Sequence, residues 1–402
     1  MTSNTGDAPP ARSSRFLSRL FRFALVLVVI GAVLFGAGAW YFSGVIGSDV
    51  LKVDPATPQY VTKVDRTSNS TVSLVPDDSQ PQVDRPGVFG LQWTDGSGEL
   101  GTIIDGQGAS TVTRTYTSRD GGTPADGTLA EVNDTVYLGN PRQALGLDYV
   151  DVSITGELGT MPAYLVPAPR STWVIYVHGK GATRESGYRA LRTLQPLGYP
   201  GLLITYRGDV GAPQDPTGEY GYGLREWKDL ESAVAYALAN GADNVVLAGW
   251  SMGGAIVGQF LDRSPLADRV TGLILDSPAL DMPAALELGA SQRTLPLVGL
   301  RIPSALTSAA LWTADKRFPT DLSDAVTTST VEAFPGPLFL AQGTADDTTP
   351  EATSSGVAAA RKSAKLTTRY LLVEGAGHVE SWNVASDRYK LALTTFSGDL
   401  RK

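Results

Sequence analysis

Cysteine is absent from all 402 residues. Disulfides, thiolate metal sites and a cysteine nucleophile are thereby excluded, while the compartment stays open, because proteins outside the cytoplasm need not carry disulfides. Histidine is nearly absent: His178 and His378 are the two in the chain, so any imidazole base is one of them. Clustered cations are missing from the main body and the net charge is −8, which argues against nucleic acid as a partner, since phosphate binding needs grouped Lys and Arg. What is present is a 42% hydrophobic share with 44 Gly and 25 Pro, the composition of a loop-rich globular α/β chain.

The amino terminus carries the one long apolar run. Residues 1–14 read as a disordered polar leader, within a basic leader 1–22 that holds Arg12, Arg15, Arg19 and Arg22. Residues 23–42 follow without a charge, long enough to cross a hydrocarbon core of about 30 Å. The arginines on one side, with the next cation at Lys52, predict a single-pass cell-membrane anchor with a cytoplasmic amino terminus and an extracytoplasmic remainder. The alternative is a cleaved signal peptide with Ala37, Gly38 and Ala39 as the small-residue site, but the run exceeds the usual apolar length of such signals. The anchor is the preferred reading.

From 43 to 147 the chain turns to Thr, Ser, Gly, Asp and Val, punctuated by Pro55, Pro58, Pro76, Pro81 and Pro86. Short β-like runs at 60–64, 71–75, 88–93, 101–104, 111–117 and 135–138 predict a small β-rich module with a spacing or structural role. From 148 to 402, apolar runs alternate with helical patterns, which predicts βαβ units and a parallel sheet. Residues 281–333 interrupt that alternation, and a segment of such length between strands reads as a lid.

The stretch 244–254, NVVLAGWSMGG, reads as a buried strand, a sharp turn bearing Ser251, and the start of a helix. Gly249 and Gly253 stand two positions either side of the serine, where absent side chains let strand and helix approach. A serine hydroxyl needs a base, and the base needs an orienting group. His378, in a small-residue loop after an apolar strand, is the candidate base. Asp346 is the candidate acid, with Asp347 next to it as the alternative. The turn at His178 and Gly179 follows another apolar strand, so the backbone N–H groups of Lys180 and Met252 are candidate oxyanion donors. His178 reads as structural, and the Lys180 ammonium as solvated or open to an anionic substrate.

These motifs resemble the α/β-hydrolase fold superfamily over residues 149–402: the His178-Gly179 turn, Tyr206-Arg207-Gly208, the GWSMGG elbow, the acid in GTADDTTP and the GAGH ending. The order serine, acid, histidine is the superfamily's order, and its spacing selects Asp346. The resemblance is nearest to the serine-aminopeptidase-like and lysophospholipase-like branch. It implies an eight-stranded, mostly parallel sheet with helices on both faces. It implies an enzyme that needs no cofactor and no metal, acting on a small-molecule or lipid-like acyl substrate. The expected function is cleavage of a carboxylic ester through an acyl-enzyme on Ser251. A serine peptidase and a non-catalytic envelope binding protein are the alternatives, and oligomeric state is left open.

Overall fold

The computed structural model describes residues 13–53, 57–295 and 299–400. Most of the expected leader, Arg12 included, lies outside the described residues, as does Pro55. The chain begins with α1 (Ser13–Val45), which continues as a wider π turn over Ile46–Leu51. Among the described residues it is the one helix long and apolar enough to cross a membrane. The boundary expected at residue 43 therefore falls inside a continuous helix.

Next come six antiparallel strands: β1 (Thr62–Thr67), β2 (Thr71–Val75), β3 (Phe89–Trp93), β4 (Gly96–Asp105), β5 (Val112–Asp120) and β6 (Leu129–Asn133). They pair in the order β1-β2-β5-β4-β3-β6, and β1 pairs with β6 to close a barrel. Closure removes the unpaired edges that so small a sheet would expose. Alternation puts Val64, Val72, Leu74, Leu91, Leu100 and Val132 inside. The strand expected at 135–138 does not form; Leu129–Asn133 takes the closing position. Leu129, Ala130 and Val132 alternate exposed and buried as a half-buried strand should. Val136 and Tyr137 instead enter the core of the following sheet domain, so tertiary burial accounts for their apolar character. Arg114 fills one end of the barrel, donating to the carbonyls of Gln82, Val83, Arg85, Gly87 and Gly101. It thereby pins the loop that reaches the second domain.

After α2 (Pro141–Leu145) the sheet domain starts with β7 (Val150–Thr155), β8 (Thr160–Val166) and β9 (Thr172–Val177). It continues through α3 (Tyr188–Leu194), β10 (Gly201–Ile204), α4 (Trp227–Ala239), β11 (Asn244–Trp250), α5 (Met252–Arg263) and β12 (Val270–Asp276). Helices α6 (Met282–Ser291), α7 (Ser304–Arg317) and α8 (Thr328–Ala333) follow. The chain ends with β13 (Leu338–Gly343), α9 (Glu351–Ser363), β14 (Thr368–Val373), α10 (Ser381–Val384) and α11 (Ser386–Asp399). The eight-stranded sheet has the order β14-β13-β12-β11-β9-β10-β8-β7, with β8 alone running against the other strands and pairing antiparallel with both β10 and β7. Successive residues of β9 face opposite cores: Trp173, Ile175 and Val177 join one cluster, Val174 and Tyr176 the other. A strand buried on both faces reads as a continuous apolar run, as this one does.

The segment 281–333, expected as a lid, divides in two. Helix α8 packs on α5 and α9 as part of the scaffold, whereas α6 and α7 pack together and α7 lies along α1. Ala39 of α1 is buried against Ile302 and Leu306, and the Arg317 guanidinium sits 3.7 Å from the Trp40 ring centroid while donating to the Trp40 carbonyl at 2.7 Å. Gly47 is packed so closely that a Cβ would stand 2.3 Å from the Phe318 ring. The apolar helix is thus joined to that segment, not merely tethered to it.

Candidate active site

Ser251 occupies the turn between β11 and α5 with φ 51° and ψ −119°, a conformation in which most residues are strained. The glycines flanking it make the turn possible. A Cβ on Gly249 would lie 2.6 Å from the Gly253 carbonyl oxygen, and one on Gly253 would lie 2.1 Å from that of Val177. The result is a serine raised above the carboxyl end of the sheet, its backbone N–H held by the Asp276 carbonyl at 3.1 Å.

His378 follows β14, and its Nε2 accepts a hydrogen bond from Ser251 Oγ at 2.8 Å. Its Nδ1–H donates to both carboxylate oxygens of Asp346, each at 3.0 Å. Asp346 is buried at the end of β13 and receives further bonds from the Thr348 and Thr349 amides, the Thr349 hydroxyl and the Gln342 side chain, all at 2.9 Å. Asp347 points to solvent, so Asp346 is the carboxylate the fold brings to the imidazole. Burial would raise the Asp346 carboxyl, but the His378 bond and charge and the backbone donors hold it below its ordinary value. Burial would lower His378, yet the bond to Asp346 and its charge raise it above 6.5. The pair therefore favours a proton on the imidazole, which is what a base taking the serine proton requires.

His178 is buried and committed elsewhere. It bonds the Gly179 carbonyl through Nδ1 at 2.9 Å and Asp209 through Nε2 at 2.8 Å, and stacks on Tyr206. Its burial is outweighed by the Asp209 charge, which raises its pKa. This holds the loop after β9 against the elbow, where an added Cβ on Gly179 would be 3.1 Å from Ser251 Cβ. Lys180 follows on that loop and lines the site. Met252 heads α5, so its amide belongs to the first turn, whose N–H groups lack intrahelical acceptors. The Lys180 ammonium donates to the Asp49 carbonyl on the π turn at an exposed position and lies 5.9 Å from the Tyr220 ring centroid.

Two chambers meet at Ser251 and His378. The larger, about 630 Å³, is mostly apolar and runs beneath α6 and α7. Its far wall is the tail of α1, with Phe42, Val45, Ile46 and Val50. The smaller, about 480 Å³, is lined chiefly by polar residue types and lies between the sheet domain and the barrel. Sequence reasoning missed both the α1 wall and the barrel wall, because each depends on contacts between segments remote in the chain. It also missed Asp276, fully buried at the carboxyl end of β12, where burial raises its pKa to about 6 against the opposing charge of Arg189. The signal for it was present as an aspartate ending the apolar run 272–275.

An α/β sheet with a serine elbow, an imidazole and a buried carboxylate in series defines a serine hydrolase. The model of the alpha/beta hydrolase family matches residues 174–390, over half of the chain. The protein belongs to that family. A domain of unknown function matches residues 60–133, the barrel. No curated protein sequence matches the chain. Among solved structures, it is similar to the Pyrococcus furiosus esterase Pf2001, with a TM-score of 0.51 at 19% identity over 66% of this chain and 96% of that one. Est1E from Butyrivibrio proteoclasticus is similar at TM-score 0.44 and 18% identity, covering 63% of this chain and 99% of that chain. A thermophilic esterase from Thermogutta terrifontis is similar at TM-score 0.46 and 18% identity, covering 63% and 100%. The likeness to the Pyrococcus furiosus esterase, at 19% identity, speaks to the fold alone.

Proposed function

We propose that this protein is a membrane-anchored serine hydrolase that cleaves carboxylic esters of lipid-like acyl groups. The observation that carries the reading is the Ser251–His378–Asp346 hydrogen-bonded series opening into an apolar chamber walled by the anchor's own tail. His378 Nε2 takes the Ser251 proton as Oγ attacks the ester carbonyl, and Asp346 holds the imidazole's other N–H and balances its charge. The backbone N–H groups of Met252 and Lys180 bind the oxyanion. The proton passes to the departing alcohol, and water activated by the same imidazole releases the acid.

A retained anchor is supported by the burial of Ala39, at the one plausible cleavage site, against the lid. Cleavage there would separate the pocket wall from the span. The span's outer end and the chamber adjoin, which suits an acyl chain drawn from the outer leaflet. Exposed Trp312 and Leu300 on the lid are apolar surface for the membrane interface.

Labelling with a fluorophosphonate probe tests the reading, with Ser251→Ala expected to abolish it; a folded wild type that resists the probe refutes it. A series of aryl esters beside aminoacyl amides separates ester from peptide cleavage. The peptidase reading has one observation in its favour, the Glu131 and Glu185 carboxylates near the smaller chamber, which suit a free amine. Faster turnover of the amides would establish it.

A further inference from the structure

The second chamber takes part of its wall from the barrel. Gln92 of β3 with Glu131 and Asn133 of β6 form one side, Glu185 and Arg189 of the sheet domain the other, and Ser251 and His378 stand between them. The barrel is held in register with the base. Arg85 and Gln82 both bond Glu380, two residues after His378, and Asn383 donates to the Val88 and Asp134 carbonyls at 2.8 and 2.9 Å. A wall fixed in this way is preorganised for a ligand.

Its cations are already committed. Arg189 donates to Asp134 at 2.8 Å, to the Val379 carbonyl at 2.7 Å and to Asn383 at 3.1 Å, while the Lys180 ammonium reaches the Asp49 carbonyl. The open groups accept. Glu131, partly buried on the barrel wall, receives one bond from Asn133 at 3.2 Å, which leaves carboxylate lone pairs for further donors. The Glu131 carboxylate and the Gln92 and Asn133 side-chain amides, all lining the chamber, offer acceptors to a ligand that brings hydroxyl donors. Glu131, Asp134 and Glu185 face Lys180 and Arg189, close to charge balance, and His378 becomes cationic during reaction. Both facts favour a neutral donor over an ionic one.

We propose that the barrel forms the leaving-group half of the active site and that the substrate is an acyl ester of a neutral, hydroxyl-rich alcohol of the glycerol or sugar type. This rests on Ser251 being the nucleophile. The Ser251 Oγ–acyl bond forms as the bond from acyl carbon to alcohol oxygen breaks. The proton that His378 took from Ser251 goes to that oxygen, and the free alcohol departs along the barrel wall.

The test uses the full chain in detergent micelles with octanoyl esters of methanol, glycerol, glucose and choline. The glycerol or glucose ester is expected to exceed the methyl ester in kcat/KM by about tenfold, the worth of one to two net hydrogen bonds. In the Gln92→Leu/Glu131→Leu double variant that ratio falls toward one. Equal rates on methyl and polyol esters overturn the inference, as does a choline ester that is fastest, or a double variant that slows every ester alike. Fluorophosphonate labelling separates the two failures. A protein that resists the probe fails the hydrolase reading itself, whereas a labelled protein without polyol preference fails this inference alone, and labelling of the double variant shows that its site is intact.

Discussion

Gly289 offers the sharpest probe of the acyl chamber. It lies in the last turns of α6 and lines the apolar cavity, and a Cβ built on it meets nothing within 4 Å. Gly289→Leu therefore directs four carbons toward the cavity, the first of which meets nothing within 4 Å. Those carbons displace about three to four methylenes of a bound acyl chain, each contributing ~0.8 kcal/mol on burial. The longest chains that fill the pocket lose about 2.4–3.2 kcal/mol of binding, a fall of roughly 60–220-fold in kcat/KM. A butyrate ester, held near Ser251, changes by less than about twofold, so the preferred chain shortens by three or four carbons. Removing a helical glycine also stabilises by up to about 1 kcal/mol, so a calorimetric melting temperature that does not fall shows that any lost activity is not lost fold. The assay is initial rates on a graded p-nitrophenyl ester series with purified full-length protein. A uniform drop across chain lengths, or an unchanged profile, refutes the assignment of this chamber to the acyl group.

Activity against pH follows His378. Its pKa is raised above 6.5 and the base must be neutral in the free enzyme, so kcat/KM climbs with pH through one ionisation whose midpoint lies above 6.5. Asp346→Asn removes the group that raises it, so the midpoint should fall and kcat should drop on the order of 10³–10⁴, as read from a pH–rate profile. Asp276 affects stability in the opposite sense to a salt-bridged carboxylate. Its folded pKa of about 6 lies above the ordinary 3.8, so the folded state binds its proton more tightly and stability declines as pH rises from about 4 to 6. The loss is on the order of 3 kcal/mol. Denaturant unfolding should show that decline in the wild type and its absence in Asp276→Asn. Glu380→Ala strands the partly buried Arg85 in the joint between barrel and sheet domain, at a cost on the order of 1–3 kcal/mol. Limited proteolysis should find the barrel joint loosened and His378 turnover reduced.

Most of the catalytic line was legible because it is local. The elbow around Ser251 needs glycines at fixed offsets, the strands feeding Ser251 and Asp346 are apolar runs buried on both faces, and the edge strand before His378 keeps an apolar run, so neighbours along the chain reveal them. The parallel sheet followed from the same alternation. Asp346 against Asp347 needed the resemblance to decide it from sequence, and the fold gives the physical ground: one is ringed by five donors and the other faces water.

Tertiary structure alone decided what surrounds that line. Nothing in the periodicity of α1 says that its last turns wall a cavity, since an apolar residue suits lipid and a protein pocket equally. Val136 and Tyr137 look like a strand until the domain that buries them is in place. Barrel closure pairs β1 with β6 across more than sixty residues, and the ties to Glu380 and Asn383 span nearly three hundred. A short-range pattern specifies which element forms, because it reports one face's burial. Which face meets which is set by packing among all the elements at once.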